Sequence, residues 1–196
     1  MIWKIAFRLA LVALPLLTAG TAVAATKYFP ERRPLCLACH GENGVSPTPD
    51  TPSLGGIPEF YALLQLVEFR DGNRESEVMR EVVKGMTDDD LRAAAAFVAE
   101  QPRPPAPDAK GDPERMRRAA ALVAKNRCGN CHGKQFLGGE QMPPLRHQRE
   151  DYLLKALLDY KAERRLGDRA AMVEVVTPLS GADLADLAHY LAHVRE

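Results

Sequence analysis

The chain has 196 residues, enough for one domain or two small ones. Its 26 basic and 26 acidic residues cancel, which excludes the basic footprint of a nucleic-acid-binding protein. Only four cysteines are present, and one repeated pattern uses them all.

Lys4 and Arg8 precede an uncharged run over residues 9–25, within which Ala22-Val23-Ala24 forms a small-x-small cleavage signal. Residues 1–24 therefore read as a bacterial secretory signal peptide. A retained membrane anchor is the alternative, because the run has ~17 residues, at the short edge of a bilayer span. Pro15 and Gly20 interrupt it.

Next comes Cys36-Leu37-Ala38-Cys39-His40-Gly41, and later Cys128-Gly129-Asn130-Cys131-His132-Gly133. Cys-x-x-Cys-His is the attachment signature of c-type haem. Two thiols three positions apart reach the two vinyl groups on one edge of a porphyrin and form thioethers. The following histidine is then held under the ring, where its imidazole binds iron. A zinc ribbon separates its cysteine pairs by only ~15–20 residues, and a thioredoxin-like pair needs a βαβ context that is missing here. Structural disulfides leave the two histidines unexplained. The sequence predicts two haem c groups, attached through Cys36, Cys39, Cys128 and Cys131, with His40 and His132 on iron.

The repeat extends beyond the motif. Tyr61-Ala62-Leu63-Leu64 matches Tyr152-Leu153-Leu154-Lys155, Val78-Met79 matches Ala171-Met172, and Thr87-x-x-Asp90-Leu91 matches Ser180-x-x-Asp183-Leu184, at an offset of 91 to 93. Two copies of one domain are expected, over residues 25–100 and 112–196. Between them, residues 101–111 contain Pro102, Pro104, Pro105 and Pro107. That composition favours extended polyproline II and a semi-rigid spacer.

Every recognisable element is helical, so the fold class is all-α. Apolar residues at helical spacing mark helices over 58–70 and 152–161. Asp112 as N-cap and Pro113 at the first helical position start a helix through about Lys125. Thr87 and Ser180 open terminal helices with Asp90 and Asp183 closing capping boxes. The first half lacks room for an opening helix: residues 25–35 are broken by Pro30 and Pro34. Either that helix is missing or the N-terminal apolar segment stands in for it.

Methionine thioether is the usual sixth ligand of an electron-carrying haem because it raises the potential. The repeat selects Met79 and Met172, which align; Met86 aligns with Leu179 and reads as core packing. His147 is a minor competitor for the second iron. His189 and His193, four apart on the last helix, have a metal-binding spacing but read as a solvated helix end. The carbonyls of Pro52 and Pro143 are candidates to accept the outer N–H of the ligand imidazoles; a plain turn role is the alternative.

With these residues in place, the chain resembles class I cytochrome c duplicated in tandem, most closely the di-haem cytochrome c4 family. The resemblance covers about residue 35 to the C-terminus. It implies two cytochrome c-like helical domains, each wrapped around one covalently bound His/Met haem. It further implies periplasmic transfer of single electrons from a quinol-oxidising complex toward a terminal oxidase, by a protein either soluble or anchored to the inner membrane. The missing first helix and the proline-rich linker depart from the family and leave the packing of the domains open.

No nucleophile, carboxylate pair or phosphate loop sits at a spacing that supports catalysis, so an electron carrier is expected rather than an enzyme. A di-haem peroxidase needs a displaceable iron ligand, and a methionine in each repeat argues against it. The alternative is a haem-bearing subunit of a periplasmic or membrane-bound dehydrogenase. Residues 25–100 carry 8 basic and 13 acidic residues, a net of −5, and residues 101–196 carry 16 and 13, a net of +3. Opposite charges on the two ends suit docking to different redox partners.

Overall fold

A computed structural model describes residues 28–165 and 170–195. Local signals place the helices. Thr87 accepts from the backbone of Asp90 while Asp90 accepts from that of Thr87, and this box opens α4 (Asp88–Ala99). Ser180 and Asp183 repeat the arrangement at α9 (Gly181–His193). Asp112 caps α5 (Pro113–Lys125) by accepting from Arg115 N, with proline in the first turn where no N–H is missed. Between these run α1 (Phe29–His40), α2 (Glu59–Asp71), α3 (Glu77–Val83), α6 (Gly129–His132), α7 (Glu150–Lys161) and α8 (Ala170–Val176).

Contacts divide the helices into two sets that follow the repeat. In the first, α2 packs on α4 and α3, and α1 lies across α3 and α4; in the second, α5 and α7 pack on α9, and α8 on α7. Phe69, Val83, Met86 and Leu91 form one core. Tyr160, Val176, Leu179 and Leu184 form its counterpart at the same repeat positions. Both sets are helical, and the described residues contain no strand beyond two isolated bridges. The signal-or-anchor segment lies outside the described residues. Among those described, no helix is long and apolar enough to cross a membrane.

The first half does have an opening helix, contrary to expectation. Pro30 sits in the first turn of α1, where it is harmless, and Pro34 forfeits a single internal hydrogen bond. Tertiary contacts offset that loss. Tyr28 N and Phe29 N donate to Asp90 Oδ1 at 2.8 and 3.1 Å, so the capping-box aspartate of α4 also caps α1. Tyr28 and Phe29 then pack on the first core. In the second half the equivalent path is split, with Arg127 at φ 54° between α5 and α6.

Asp90 is fully buried. Burial alone would raise its pKa, but hydrogen bonds from Thr87, Tyr28 and Phe29 outweigh this and hold the carboxyl well below the usual range. A depressed carboxyl contributes stability that is complete above the unfolded pKa of ~3.9 and is lost as pH falls below it toward the folded value. Asp90→Asn turns an amide toward these donors. It is expected to cost about 3 kcal/mol at neutral pH and to flatten the acid limb of stability, as read by denaturant titration across pH.

The linker is strapped down rather than free. Gly56 N donates to Gln101 O at 3.1 Å. Gly55 lies so close that an added Cβ would sit 1.9 Å from Pro102 O. Arg103 donates to Leu137 O of the second domain at 3.3 Å, and Arg195 to Pro107 O at 2.7 Å. The two domains also bond directly. Ser53 N donates to Gln148 Oε1 and Gln148 Nε2 to Ser53 O, both at 2.8 Å. Arg149 donates to Ser46 O at 2.9 Å. Packing between the domains, left open by the sequence, is therefore close and polar.

Candidate haem centres

Each motif occupies the end of a helix. Cys36, Cys39 and His40 form the last turn of α1; Cys131 and His132 end the single turn of α6, with Cys128 as its N-cap. At i and i+3 the paired thiols lie on one helical face. All four cysteines are free; three are half-buried and Cys131 is exposed. Burial pushes the Cys36 and Cys128 thiols up, the opposite direction to thiolate activation.

The glycine after each histidine turns the chain away. Gly41 has φ 83° and ψ 146°, and Gly133 φ 79° and ψ 152°, a region open essentially only to glycine. At Gly41 an added Cβ would also lie 2.0 Å from Val45 O.

The returning loops then hold the histidines. His40 Nδ1 lies 2.8 Å from Pro52 O, and His132 Nδ1 lies 3.1 Å from Pro143 O. A carbonyl only accepts, so each Nδ1 carries the proton, and in the neutral ring the lone pair is then on Nε2. Both imidazoles are buried. Burial lowers the His40 pKa most, the Pro52 carbonyl opposes this, and the nearby Arg74 charge lowers it further. His40 thus stays in the neutral form that binds metal. Ser53, next to Pro52, is the residue clasped by Gln148, so the loop orienting His40 is braced by the other domain.

The remaining candidates separate by location. Met79 on α3 and Met172 on α8 are half-buried against their respective cores. Met86 and Leu179 are buried within those cores. His147 is tied to α9, its Nε2 lying 3.1 Å from Val194 O. The expected solvated helix end at His189 is not observed. His189 is buried, accepts from Asp112 N at 2.7 Å through Nε2, and faces Glu150 at 2.8 Å through Nδ1. It joins the start of α5 to α7 and α9, across sequence distances invisible to a local reading. His193, Glu150 and His189 do cluster. However, both His189 nitrogens are engaged, and Arg115 pairs with Glu150 at 3.0 Å, which disfavours a cation there.

The sequence reading missed Arg74 and Arg165. They stand at the repeat offset of 91, and each crosses to the other domain. Arg74 donates to Tyr152 OH at 2.9 Å, and Arg165 lies 3.4 Å from Tyr61 OH.

Two thiols on one helical turn, a buried imidazole oriented by a carbonyl and a glycine that turns the chain away match the attachment motif and proximal ligand of haem c. The set occurs once in each helical domain, so the chain is a tandem di-haem c-type cytochrome. A general cytochrome c family profile matches residues 116–195. Cytochrome c4 of Pseudomonas aeruginosa is 30% identical over 168 residues, covering 80% of this chain and 82% of that protein. The fold matches the crystal structure of reduced recombinant cytochrome c4 from Pseudomonas stutzeri with a TM-score of 0.75 and 26% identity, over 87% of this chain and 100% of that one. A thiosulfate dehydrogenase electron acceptor of Stutzerimonas stutzeri is 29% identical over 172 residues, covering 81% of this chain and 78% of that protein. The chain belongs to the cytochrome c4 family. It is an electron-transfer protein, not an enzyme, and carries two covalently bound haem c groups, one per domain.

Proposed function

We propose that this chain is a periplasmic carrier of single electrons between respiratory partners, accepting from a quinol-oxidising complex and delivering toward a terminal oxidase. Residues 1–24 direct export, residues 25–100 and 112–196 form the haem domains, and residues 101–111 link them. Cys36 and Cys39 hold the first haem and Cys128 and Cys131 the second. His40 with Met79, and His132 with Met172, are the axial pairs. The observation that carries this reading is the recurrence of one donor set, histidine braced by carbonyl and methionine on a short helix, in both domains.

Bound haem supplies the one-electron ferric–ferrous couple. The protein's residues tune it. The Pro52 and Pro143 carbonyls fix imidazole orientation and raise its basicity. The surrounding cores exclude water, and methionine sulfur favours the ferrous state. The net charges of −5 and +3 on the two parts of the chain suit brief, charge-guided encounters. Electron transfer to a partner oxidase is expected to slow at least several-fold between low and physiological salt. A rate indifferent to ionic strength in stopped-flow mixing would remove charge guidance from the account.

A second reading is supported by the similarity to a thiosulfate dehydrogenase electron acceptor: a haem-bearing partner of a dehydrogenase. A stoichiometric second chain that stays bound through purification distinguishes this from a free carrier.

A further inference from the structure

The peptide bond between Pro52 and Ser53 is engaged from both sides. Its carbonyl oxygen lies 2.8 Å from His40 Nδ1 and accepts a hydrogen bond from it. Its N–H belongs to Ser53 and donates to Gln148 Oε1 of the second domain at 2.8 Å. Gln148 Nε2 returns a bond to Ser53 O, also at 2.8 Å. One orientation of the Gln148 amide satisfies both contacts, because its oxygen must accept and its nitrogen donate. Ser53 and Gln148 are 1% and 8% exposed, so water competes little for either bond. Arg149, next along the chain, donates to Ser46 O at 2.9 Å, and Ser46 Oγ donates to Cys39 O at 2.9 Å. Two consecutive residues of the second domain therefore fix the loop that carries Pro52.

The result is an unbroken relay: Gln148 Oε1, the Ser53 N–H, the Pro52 carbonyl and His40 Nδ1. Peptide resonance joins the N–H to the carbonyl. When the N–H donates, electron density moves toward the carbonyl oxygen and makes it a better acceptor. Bonds linked in this way strengthen one another in a low-dielectric interior. A stronger acceptor for the Nδ1 proton makes the imidazole a more basic ligand through Nε2.

The second domain cannot build the same relay. At the repeat offset of 91, Pro144 stands for Ser53, and Ile57 stands for Gln148. Proline has no N–H to donate, and isoleucine has no amide to accept. Pro143 O still meets His132 Nδ1, at 3.1 Å. Both ends of the reciprocal contact are thus removed by covalent structure alone.

We propose that Gln148 is a positioning residue for the haem of the other domain. Through the Ser53–Pro52 peptide it strengthens the His40 hydrogen bond and favours the ferric state of the first haem, and the first domain exerts no such effect on the second haem. The potential of the first haem therefore depends on the second domain being docked. The inference rests on the reading of His40 as the proximal ligand.

The test compares the wild-type, Q148M and Q148E holoproteins. Proton NMR of the ferrous state reads the Nδ1 protons of His40 and His132, and potentiometric titration reads both haems. In wild type the His40 proton is expected downfield of the His132 proton. Q148M keeps the length of the side chain but removes the amide, and is expected to move the His40 proton upfield. At a fixed applied potential it raises the ferrous-to-ferric ratio of the first haem by roughly two- to tenfold, below the roughly 10–100-fold effects of groups bonded directly to a ligand. The haem of the domain that carries the substitution stays close to wild type. Q148E retains an acceptor oxygen and restores the position of the His40 proton. A folded Q148M protein with two haems, an unmoved His40 proton and an unchanged first potential overturns the proposal and leaves the carrier reading standing. So does a shift as large at the second haem, or a Q148E proton that follows Q148M. If Q148M does not fold, the wild-type comparison carries the test: a His132 proton at or downfield of that of His40 overturns the relay. A His40 ring proton without the ring-current shift of a bound haem would remove the ligand assignment itself, and the relay with it.

Discussion

With Met79 as the proposed axial ligand, Met79→Ala is expected to remove one of two methionine–iron charge-transfer bands and to lower the potential of the first haem, by on the order of 0.2 V given the ~0.8 V range that axial ligands command. Met86→Ala is expected to leave both bands in place. The contrast follows from position. Met79 stands half-buried on α3, and its repeat partner Met172 stands likewise on α8. Met86 is 5% exposed inside the first core, where its counterpart is Leu179. Its truncation costs stability instead, about 2–4 kcal/mol by analogy with other buried methionines. A Met86→Ala protein that lost a band while Met79→Ala kept both would exchange the two roles.

The second large effect comes from the thiols. Cys128→Ser with Cys131→Ser leaves one covalently held haem per chain instead of two. The damage is not confined to the pigment. His132 is buried, and Gln148 on the loop that follows it clasps Ser53 of the first domain, so loss of the second haem is expected to loosen the interface as well. The second domain is expected to melt separately and earlier than the first, which a two-step thermal transition by circular dichroism would reveal. A variant that retained two equivalents of tightly held haem would disprove attachment through these cysteines.

Signals carried by neighbouring residues were legible in the sequence. Asp112 and Pro113 fixed the start of α5, and the two capping boxes fixed α4 and α9, because each signal and its consequence lie within one turn. The haem motifs were legible for the same reason. Contacts between distant residues were not. Pro30 and Pro34 argued against α1, and the helix forms because Asp90, some sixty residues away, caps it. His189 looked like a solvated helix end because Asp112 and Glu150 are neighbours only in space. The linker prolines predicted an extended segment but gave no sign that Gly55 receives Pro102. Arg74 and Arg165 stand at the repeat offset but were missed, because their crossing contacts with Tyr152 and Tyr61 exist only in the folded chain.

The central claim is that two haem groups are covalently bound to this chain, one per domain. Mass spectrometry of the purified protein after denaturation and acid–acetone extraction tests it most directly. The predicted result is a polypeptide heavier than its sequence by two haem masses, with no colour in the extract. A polypeptide at its bare mass, or carrying only one such addition, would contradict it.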